Sequence, residues 1–161
     1  MKLAPVLPDD AERVADLKAL NILDTPREPR FDRLTELAAD VFEVPMAFVN
    51  LVDADRQWFK STCGLSGVDT TPRDVGFCSH AIHEPEAMVV PDASKDARFA
   101  DNPFVAGDFH LRFYAGVPIR GHKGKAIGTL CLVDTKPREL SARQLGQLKK
   151  MAAIVEAEAR R

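Results

Sequence analysis

The stretch LRFYAGVPIRGHKGKAIGTLCLVD, from Leu111 to Asp134, decides the fold, because it has the pattern of two adjacent antiparallel strands. Its first half alternates strictly, and the apolar side chains fall on one face of a strand: Leu111, Phe113, Ala115, Val117 and Ile119. Arg112, Tyr114 and Gly116 fall on the other face. Pro118 has no N–H to donate, so we expect a bulge or a lost pairing there. GHKGK is typical of a hairpin turn, and AIGTLCLVD of the returning strand.

A second hairpin is predicted upstream. MAFVNLVD, residues 46–53, is apolar on both alternating faces, which indicates a strand covered on both sides. The polar turn DADR leads to another strand, QWFKSTCG, in which one of Trp58 and Phe59 should lie in the core. The other ring is then expected at the surface or at a pocket edge. Asn50 interrupts an apolar strand, so we expect it to be hydrogen-bonded in a structural role.

Helices are predicted at both ends of the chain. A helix over Asp9–Leu20 would begin with a capping-box-like pair, Asp9 and Glu12. A second helix should begin near Pro29, since proline suits the first turn. Ser141 and Gln144 open the last helix in capping-box fashion. The apolar positions of that helix recur every three and four residues: Leu145, Leu148, Ala152, Val155 and Ala159.

The middle of the chain, from Asp74 to Phe104, concentrates polar and aromatic side chains. FCSHAIHE predicts a short helix, AMVVPD a short strand, and SKDARFADNPFVAGD helical turns in a long loop. The resulting order is two helices, a hairpin, a helical insertion, a hairpin and a helix. Adjacent strands with helices outside them indicate an α+β fold with a central antiparallel β-sheet.

Composition limits the function. The 161 residues suit a single domain, which we divide into an N-terminal helix and linker (1–28), a core (29–140) and a C-terminal helix (141–161). The net charge of −2 and the absence of a basic stripe with interleaved aromatics argue against nucleic acid. The longest apolar run, residues 45–52, is too short to cross a membrane. Cys63, Cys78 and Cys131 lie far apart in sequence without a CxxC, which predicts a reducing cytoplasm and mutually distant thiols.

With these residues in view, the sequence resembles the GAF domain family, in particular the bacterial signalling domains found ahead of histidine kinases and diguanylate cyclases. The matching stretches follow one another in order from Leu17 to Arg138: LNILDTPREPRFDRLTELAADVF, VPMAFVNLVDADRQWFKS, FCSHAI, VVPDASKDARFADNPFV, LRFYAGVPI and IGTLCLVDT. Their order and spacing together carry the resemblance. The Asn-Lys…Phe…Asp-Glu motif of cyclic-nucleotide-binding members is not found, so cyclic AMP or GMP is not supported.

The resemblance implies terminal helices on one face of the sheet and a helical and loop lid over the other, as in GAF and PAS domains, with small ligands bound beneath the lid. It also implies sensory regulation instead of chemistry. We therefore predict a cytoplasmic, non-catalytic sensor that passes a ligand or redox state through its terminal helices to an output domain or protein. A homodimer is expected, and the chain is either a stand-alone regulator or an excised sensor.

The predicted ligand site lies where the lid meets the strand that begins at Leu111. Arg112 would offer a planar cation to an anionic ligand, and Tyr114 a ring with a hydroxyl. Alternatively, Arg112 pairs with Asp92 or Asp101 and fastens the lid. Phe99 is expected to fasten the lid and to touch the ligand.

Cys78 and His80 invite further hypotheses. A zinc site needs three or four convergent ligands, and only His80 and His83 share a helix face, so no metal is predicted. Some GAF domains attach a bilin through a cysteine next to a histidine, but Ser79 separates these two residues, and no cofactor is predicted. Cys78 is expected to be a small buried filler and His80 a hydrogen-bonded wall of the cavity.

Two other functions stay open. Some GAF proteins reduce free methionine sulfoxide with a nucleophilic cysteine, which needs a thiolate of lowered pKa and a thiol partner within reach. A purely structural dimerisation module with a collapsed pocket is the third possibility. The sensor hypothesis rests on one set of candidate ligand-binding residues: Cys78, His80, Asp92, Phe99, Arg112 and Tyr114.

Overall fold

The computed structural model describes residues 1–161 and contains one central sheet. Its strands are β1 (Met46–Val52), β2 (Arg56–Cys63), β3 (Thr70–Pro72), β4 (Met88–Val90), β5 (Phe113–Arg120) and β6 (Ala126–Asp134). They lie in the order β3-β2-β1-β6-β5-β4, and every pairing is antiparallel. The two predicted hairpins therefore meet side by side, and the α+β prediction with a central antiparallel sheet is confirmed.

Five helices surround the sheet. They are α1 (Asp10–Lys18), α2 (Pro29–Phe42), α3 (Phe77–Ala81), α4 (Pro103–Ala106) and α5 (Ala142–Ala159). We call the face covered by α2, α5 and part of α1 the helical face. The opposite, lid face is covered by the lid, residues 74–87 and 91–112, which contains α3, α4 and a 3₁₀ turn.

Local signals explain where the long helices begin and end. Pro29 occupies the first turn of α2, where an N–H would have no partner in the helix. α2 ends at Phe42, and the C-cap residue Glu43 has a φ of +53°, in the left-handed region. The predicted capping box of α5 is confirmed, since the Ser141 hydroxyl and the Gln144 side chain each accept the other residue's backbone N–H.

The capping prediction for α1 is wrong. The Asp9 side chain makes no capping hydrogen bond, and the helix runs from Asp10 to Lys18. The Asp9 carboxylate instead accepts a hydrogen bond from Lys125 Nζ at 3.1 Å. The Asp9 carboxylate therefore forms a long-range ion pair and not the helix cap that the local pattern predicted.

Two strand predictions also need correction. β3 is absent from the predicted order of elements. Only three of its residues pair with β2, and they show no alternation of hydrophobicity that could have indicated a strand. Leu111 does not share the face of Phe113. β5 begins only at Phe113, and the preceding residue His110, with a φ of +60°, interrupts the extended backbone before Leu111. The bulge expected at Pro118 is found after Ile119, and Pro118 itself pairs with Thr129.

A buried ionic network attaches α1 to the sheet. Arg13 donates from Nη1 to the carbonyl oxygen of Val52 at 2.7 Å. Arg73, just after β3, donates from both Nη atoms to the two Asp10 carboxylate oxygens at 2.7 Å. Asp10 also accepts from Arg13 Nε at 2.9 Å, so one carboxylate serves two buried guanidinium groups. This network joins α1 to the chain segment that enters the lid.

The β5–β6 turn is held by both terminal helices. The carboxylate of Asp16 in α1 accepts the backbone N–H groups of Lys123 and Lys125 at 3.1–3.2 Å. Glu156 in α5 accepts the backbone N–H of Arg120 at 2.6 Å. α1 and α5 therefore both form hydrogen bonds to the connection between β5 and β6. No helix of the structure is both long and apolar enough to cross a membrane.

Candidate functional site

A cavity of about 180 Å³ lies between the sheet and the lid. Fifteen residues line it, twelve of them hydrophobic and none of them charged. Partly exposed side chains such as Phe59, Leu65 and Val68 belong to this lining, so the cavity has an edge at the surface. The complete lining comprises Phe48, Asn50, Gln57, Phe59, Leu65, Val68, Thr71, Phe77, Cys78, Phe104, Phe109, Leu111, Tyr114, Cys131 and Val133.

Tyr114, the second residue of β5, forms part of the floor. Its ring folds across Gly116, where any Cβ would overlap the phenol oxygen. The room that glycine leaves on this face is thus filled by a protein side chain, and the ring is almost completely buried. From this position the hydroxyl donates to Cys78 Sγ at 3.1 Å. Gly116 therefore determines where the Tyr114 hydroxyl lies.

Two thiols meet beside this hydroxyl. Cys78 Sγ on α3 lies 3.8 Å from Cys131 Sγ on β6, although both residues are free cysteines. The expectation that the three cysteines are mutually distant is therefore wrong for this pair. The fold brings α3 down onto the sheet at the point where Phe48 and Gly116 flank Cys131 in the strand pairing. A 53-residue separation in sequence gave no sign of the contact.

The cluster favours a negative charge on Cys78. Burial raises the pKa of the Cys78 thiol, but hydrogen bonds from Cys131, Thr129, Tyr114 and Asn50 outweigh burial and lower it below its ordinary value. Thr129 Oγ1 donates to Cys78 Sγ at 3.1 Å, as Tyr114 does. Burial raises the pKa of Cys131 and of Tyr114 well above their ordinary values, and charge on Cys78 adds to both shifts. Cys78 is therefore the group in this cluster that ionises first.

Asn50 places an unpaired acceptor at the cavity. The residue is 1 % exposed, and its Oδ1 has no hydrogen-bond partner. The prediction that Asn50 is hydrogen-bonded therefore fails for this atom. A buried amide oxygen without a partner costs about 1–3 kcal/mol, a cost that a donor entering the cavity would remove.

Polar contacts around the cavity fasten the lid to the sheet and join the two parts of the lid to each other. Gln57 Oε1 on β2 accepts both the backbone N–H and the hydroxyl of Ser79, at 3.0 and 2.9 Å. Asn102 caps α4 and donates from Nδ2 to the Val75 carbonyl oxygen at 2.9 Å. These bonds fix both the α3 and the α4 parts of the lid.

Of the six candidate residues, only Cys78 and Tyr114 line the cavity. Phe99 lies one layer behind, stacked on Phe77 with ring centroids 4.0 Å apart. His80 meets the edge of Phe99, with centroids 4.9 Å apart, and its Nε2 has no partner. Burial lowers the pKa of His80, so the imidazole is held neutral.

Arg112 and Asp92 lie outside the cavity lining. Arg112 does not point under the lid as expected, because it precedes β5 and the alternation has not yet begun. It donates from Nη1 to the carbonyl oxygens of Val105 and Leu111, both at 2.9 Å. Arg112 thus bonds to backbone oxygens within the last part of the lid and does not pair with Asp92 or Asp101. Asp92 caps the 3₁₀ turn by accepting from Ser94, which lowers the pKa of its carboxyl.

No group of three or more His, Cys, Asp or Glu side chains converges anywhere in the structure in an arrangement that could hold a metal ion. His80 and Cys78 belong to the same short helix, but only the Cys78 sulfur is placed against Cys131. The donor set expected for a structural or catalytic zinc is therefore missing.

Residues 26–158 match the family profile of the GAF domain. The chain belongs to the GAF domain family. A solved GAF domain from an Acinetobacter phosphoenolpyruvate-protein phosphotransferase shares the fold with a TM-score of 0.67, at 18% identity over 96% of this chain and 94% of that one. A free methionine-R-sulfoxide reductase from Neisseria meningitidis gives 0.65 at 17% identity, over 99% and 96% of the two chains. At these identities the likeness shows the shared fold alone.

A cyclic di-GMP phosphodiesterase of Pseudomonas aeruginosa is 35% identical over 156 residues. The match covers 96% of this GAF domain but only 26% of that relative. The chain therefore spans about a quarter of the length of the curated relative that it matches.

Sequence reasoning missed most of the lining of this GAF domain's cavity. One signal was present, since Phe59 was expected at either the surface or a pocket edge, and it lies at the cavity while Trp58 joins the core of the helical face. Asn50 gave a second signal as a polar residue in an apolar strand. The aromatic side chains from the lid, Phe77, Phe104 and Phe109, had no periodic pattern that could assign them to a face.

Proposed function

We propose that this GAF domain is a non-catalytic sensor that binds a small, uncharged and largely apolar molecule in the lid-side cavity. The cavity carries the proposal, because its lining is largely apolar and contains no Asp, Glu, Lys, Arg or His side chain. Its volume of about 180 Å³ suits a substituted single aromatic ring, since an apolar protein cavity of ~150 Å³ holds benzene. With Arg112 outside the lining, nothing at the cavity favours an anionic ligand.

Asn50 narrows the range of ligands that suit the cavity. Its free Oδ1 is suited to accept one hydrogen bond from a hydroxyl or N–H of the ligand. The nearby hydroxyl of Tyr114 is already directed at Cys78 and is not available as a donor. A phenol-like or indole-like molecule therefore fits the cavity better than a pure hydrocarbon of the same size.

Transmission to an output domain or protein would use the terminal helices. β5 and β6 supply Tyr114, Cys131 and Val133 to the cavity, and their connecting turn is held by Asp16 of α1 and Glu156 of α5. A ligand that shifts these two strands acts on both helices at once. The Pseudomonas relative carries a name that refers to cyclic di-GMP hydrolysis. We propose that the present domain regulates an output of such a signalling protein and does not perform the turnover itself.

The helical face also has a surface suited to a homodimer. α2 and α5 pack side by side, with Arg30 Nη1 donating to the Glu158 carbonyl oxygen. Leu37, Val41 and Ile154 on these helices are about half exposed, at 50%, 47% and 51%. A second copy would cover these side chains, and light scattering of the wild type and of Ile154→Asp tests the assembly.

Thiol-dependent reduction of methionine sulfoxide is the second candidate, and the contact between Cys78 and Cys131 favours it. A free amino acid carries an ammonium and a carboxylate, and both need charged or hydrogen-bonding partners when they leave water. The cavity has no Arg, Lys or His side chain to pair with the carboxylate and no Asp or Glu side chain to pair with the ammonium. We therefore expect no thiol-coupled reduction of free methionine sulfoxide above a blank without protein.

The binding test compares benzene, phenol and benzoate as probes in calorimetry or ligand-observed NMR. Benzene and phenol should bind to the wild type, and benzoate should not, because its charge would lose water without gaining a partner. Asn50→Leu should weaken phenol binding by about two- to tenfold and leave benzene binding unchanged.

A variant that closes the cavity shows whether benzene and phenol bind inside the cavity or elsewhere on the protein. Val68→Trp adds a large ring at the partly exposed edge and should abolish binding of both neutral probes. Arg143→Trp, an exposed position in the first turn of α5, is the matched control and should retain binding. Tight benzoate binding, or equal probe binding by Val68→Trp and wild type, would contradict the proposal.

A further inference from the structure

The two cysteines at the cavity have a chemistry that ligand binding does not use. Cys78 belongs to the lid and Cys131 to the sheet, and their sulfur atoms are 3.8 Å apart. A disulfide requires about 2.05 Å between sulfur atoms, so a shift of less than about 2 Å would join them. Cys63, the third thiol, makes no contact with either sulfur in the hydrogen-bonding pattern of the cluster.

The surroundings of the pair make the two sulfurs unequal. Hydroxyl groups of Tyr114 and Thr129 both donate to Cys78 Sγ at 3.1 Å, which stabilises a thiolate there. At Cys131 burial and the neighbouring Cys78 outweigh hydrogen bonding from Thr129 and raise the pKa well above its ordinary value, so this group stays a thiol. Cys63 is more exposed, but burial and the carboxylates of its neighbours raise the pKa of its thiol. Exposure and reactivity are therefore expected to run in opposite directions among the three cysteines.

A small reagent can reach the pair through the cavity. Both Cys78 and Cys131 are part of its lining, and partly exposed residues such as Val68 form its edge. Hydrogen peroxide is uncharged and little larger than water, so an apolar lining excludes it less than it excludes an ion. The lining therefore selects small neutral oxidants.

We propose that Cys78 and Cys131 are a modification site, which hydrogen peroxide or a similarly small peroxide oxidises to an intramolecular disulfide between lid and sheet. Cys78 is the attacking thiolate and Cys131 the resolving thiol. The site relies on the same cavity as the proposed ligand binding, but it does not require that a ligand exists.

The reaction balances in two steps. The Cys78 thiolate attacks one peroxide oxygen, the O–O bond breaks, and the released hydroxide takes a proton to become water, which leaves a sulfenic acid. The sulfur of Cys131 then attacks Cys78 Sγ, the S–O bond breaks and the S–S bond forms. Hydroxide leaves with the Cys131 proton as a second water. The two sulfurs together lose two electrons, and the peroxide gains them.

The disulfide would change the lid. α3 is only five residues long, and Gln57 holds it through the backbone N–H and hydroxyl of Ser79. Drawing Cys78 toward β6 by about 2 Å strains these bonds and alters the wall that Phe77 and Cys78 give to the cavity. Oxidation and ligand binding should therefore affect each other.

The test uses the full chain and hydrogen peroxide, followed by thiol alkylation and mass spectrometry. Wild type should lose two hydrogen atoms and two alkylatable thiols, and peptide mapping should join the Cys78 and Cys131 peptides. Cys63→Ser is the matched control and should give the same cross-link. Cys131→Ser should stop at a sulfenic acid on Cys78, which dimedone traps.

The role of Cys78 has its own measurement. Tyr114→Phe and Thr129→Val each remove one donor to Cys78 Sγ, so each should slow the loss of thiols at neutral pH. At a pH high enough to ionise Cys78 fully, these variants should approach the wild-type rate. A pH profile that the two variants leave unchanged would overturn Cys78 as the attacking thiolate.

Other results would overturn the proposal as a whole. These are oxidation of Cys63 ahead of the other two cysteines, or loss of thiols without a Cys78–Cys131 cross-link. Benzene and phenol binding by the reduced protein is measured separately. If benzene and phenol bind but no Cys78–Cys131 cross-link forms, only the proposed modification site is refuted. If the cross-link forms but neither probe binds, only the proposed ligand binding is refuted.

Discussion

On the helical face of the sheet, fully buried side chains such as Phe113 and Leu132 belong to one continuous apolar core with α2 and α5. On the lid face, Phe48 and Tyr114 are also buried, but they border a cavity, two thiols and an amide oxygen without a partner. The same six strands support both faces. The difference indicates that the helical face holds the fold together, and that the lid face can therefore accept unpaired groups and empty space.

The largest expected effect comes from truncating one aromatic ring on each face. Phe113→Ala leaves a void in a filled core and should lower the free energy of unfolding by about 3–5 kcal/mol. Phe48→Ala enlarges an existing cavity and should cost about 2 kcal/mol or less, because the ring already lacks neighbours on one side. Urea unfolding of both variants measures the difference. Equal losses would mean that the two faces contribute equally.

A second prediction concerns the buried ionic network of Asp10, Arg13 and Arg73, which joins α1 to the sheet and to the segment that enters the lid. Asp10→Asn removes the anion between Arg13 and Arg73, and should cost about 3 kcal/mol because two buried cations lose their counter-charge. Hydrogen exchange should then rise in α1 and in the segment that enters the lid. Asp9→Asn is the control, since its exposed pair with Lys125 is screened by solvent and should contribute far less than the buried network.

The pH dependence of unfolding tests the same carboxylate. Hydrogen bonding from Arg73, with a further contribution from Arg13, lowers the pKa of Asp10 from 3.8 to about 2. Because the folded-state pKa is the lower one, the contribution of Asp10 is complete above about 3.8 and is lost as the pH falls through about 2. The difference in melting temperature between wild type and Asp10→Asn should shrink over this range. A constant difference down to about pH 2 would show that Asp10 is not held ionised.

The smallest effects come from two glycines, one on each face, and they should differ in sign. Gly116→Ala forces the Tyr114 ring to move and should destabilise by about 1–3 kcal/mol. Gly146→Ala lies within α5 with open space around its Cβ position and should stabilise by about 0.5–1 kcal/mol. Thermal unfolding measures both. A neutral Gly116→Ala would indicate that the Tyr114 hydroxyl is not fixed.

The sequence was informative where one periodicity covers a whole element. Phe113, Ala115 and Val117 alternate along β5, and the structure places them together on the helical face. The capping pair of Ser141 and Gln144 was equally reliable, because both partners lie within one turn. Local patterns of this kind predict strands and helix ends well, since the interacting groups are close in sequence.

The cavity depended on contacts that no local pattern contains. Cys78 and Cys131 meet because α3 packs on β5 and β6, and their separation of 53 residues hides the contact in the sequence. Arg112 was assigned to the cavity by starting the alternation of β5 at Leu111, two residues before the strand begins at Phe113 and directly after the left-handed His110. Lid aromatics such as Phe104 lie in short helices and turns, where side-chain direction follows from the loop path and not from a period.

The shared attachment of Asp16 and Glu156 at the β5–β6 turn has a mechanical consequence for a longer polypeptide that contains this domain. Tension applied through α1 and α5 would reach the same corner from both ends of the chain. The strands β1, β2 and β4 then lie off the direct line of force. We expect optical tweezers to show an early, low-force extension as the two helices leave the turn, followed by a separate rupture of the sheet.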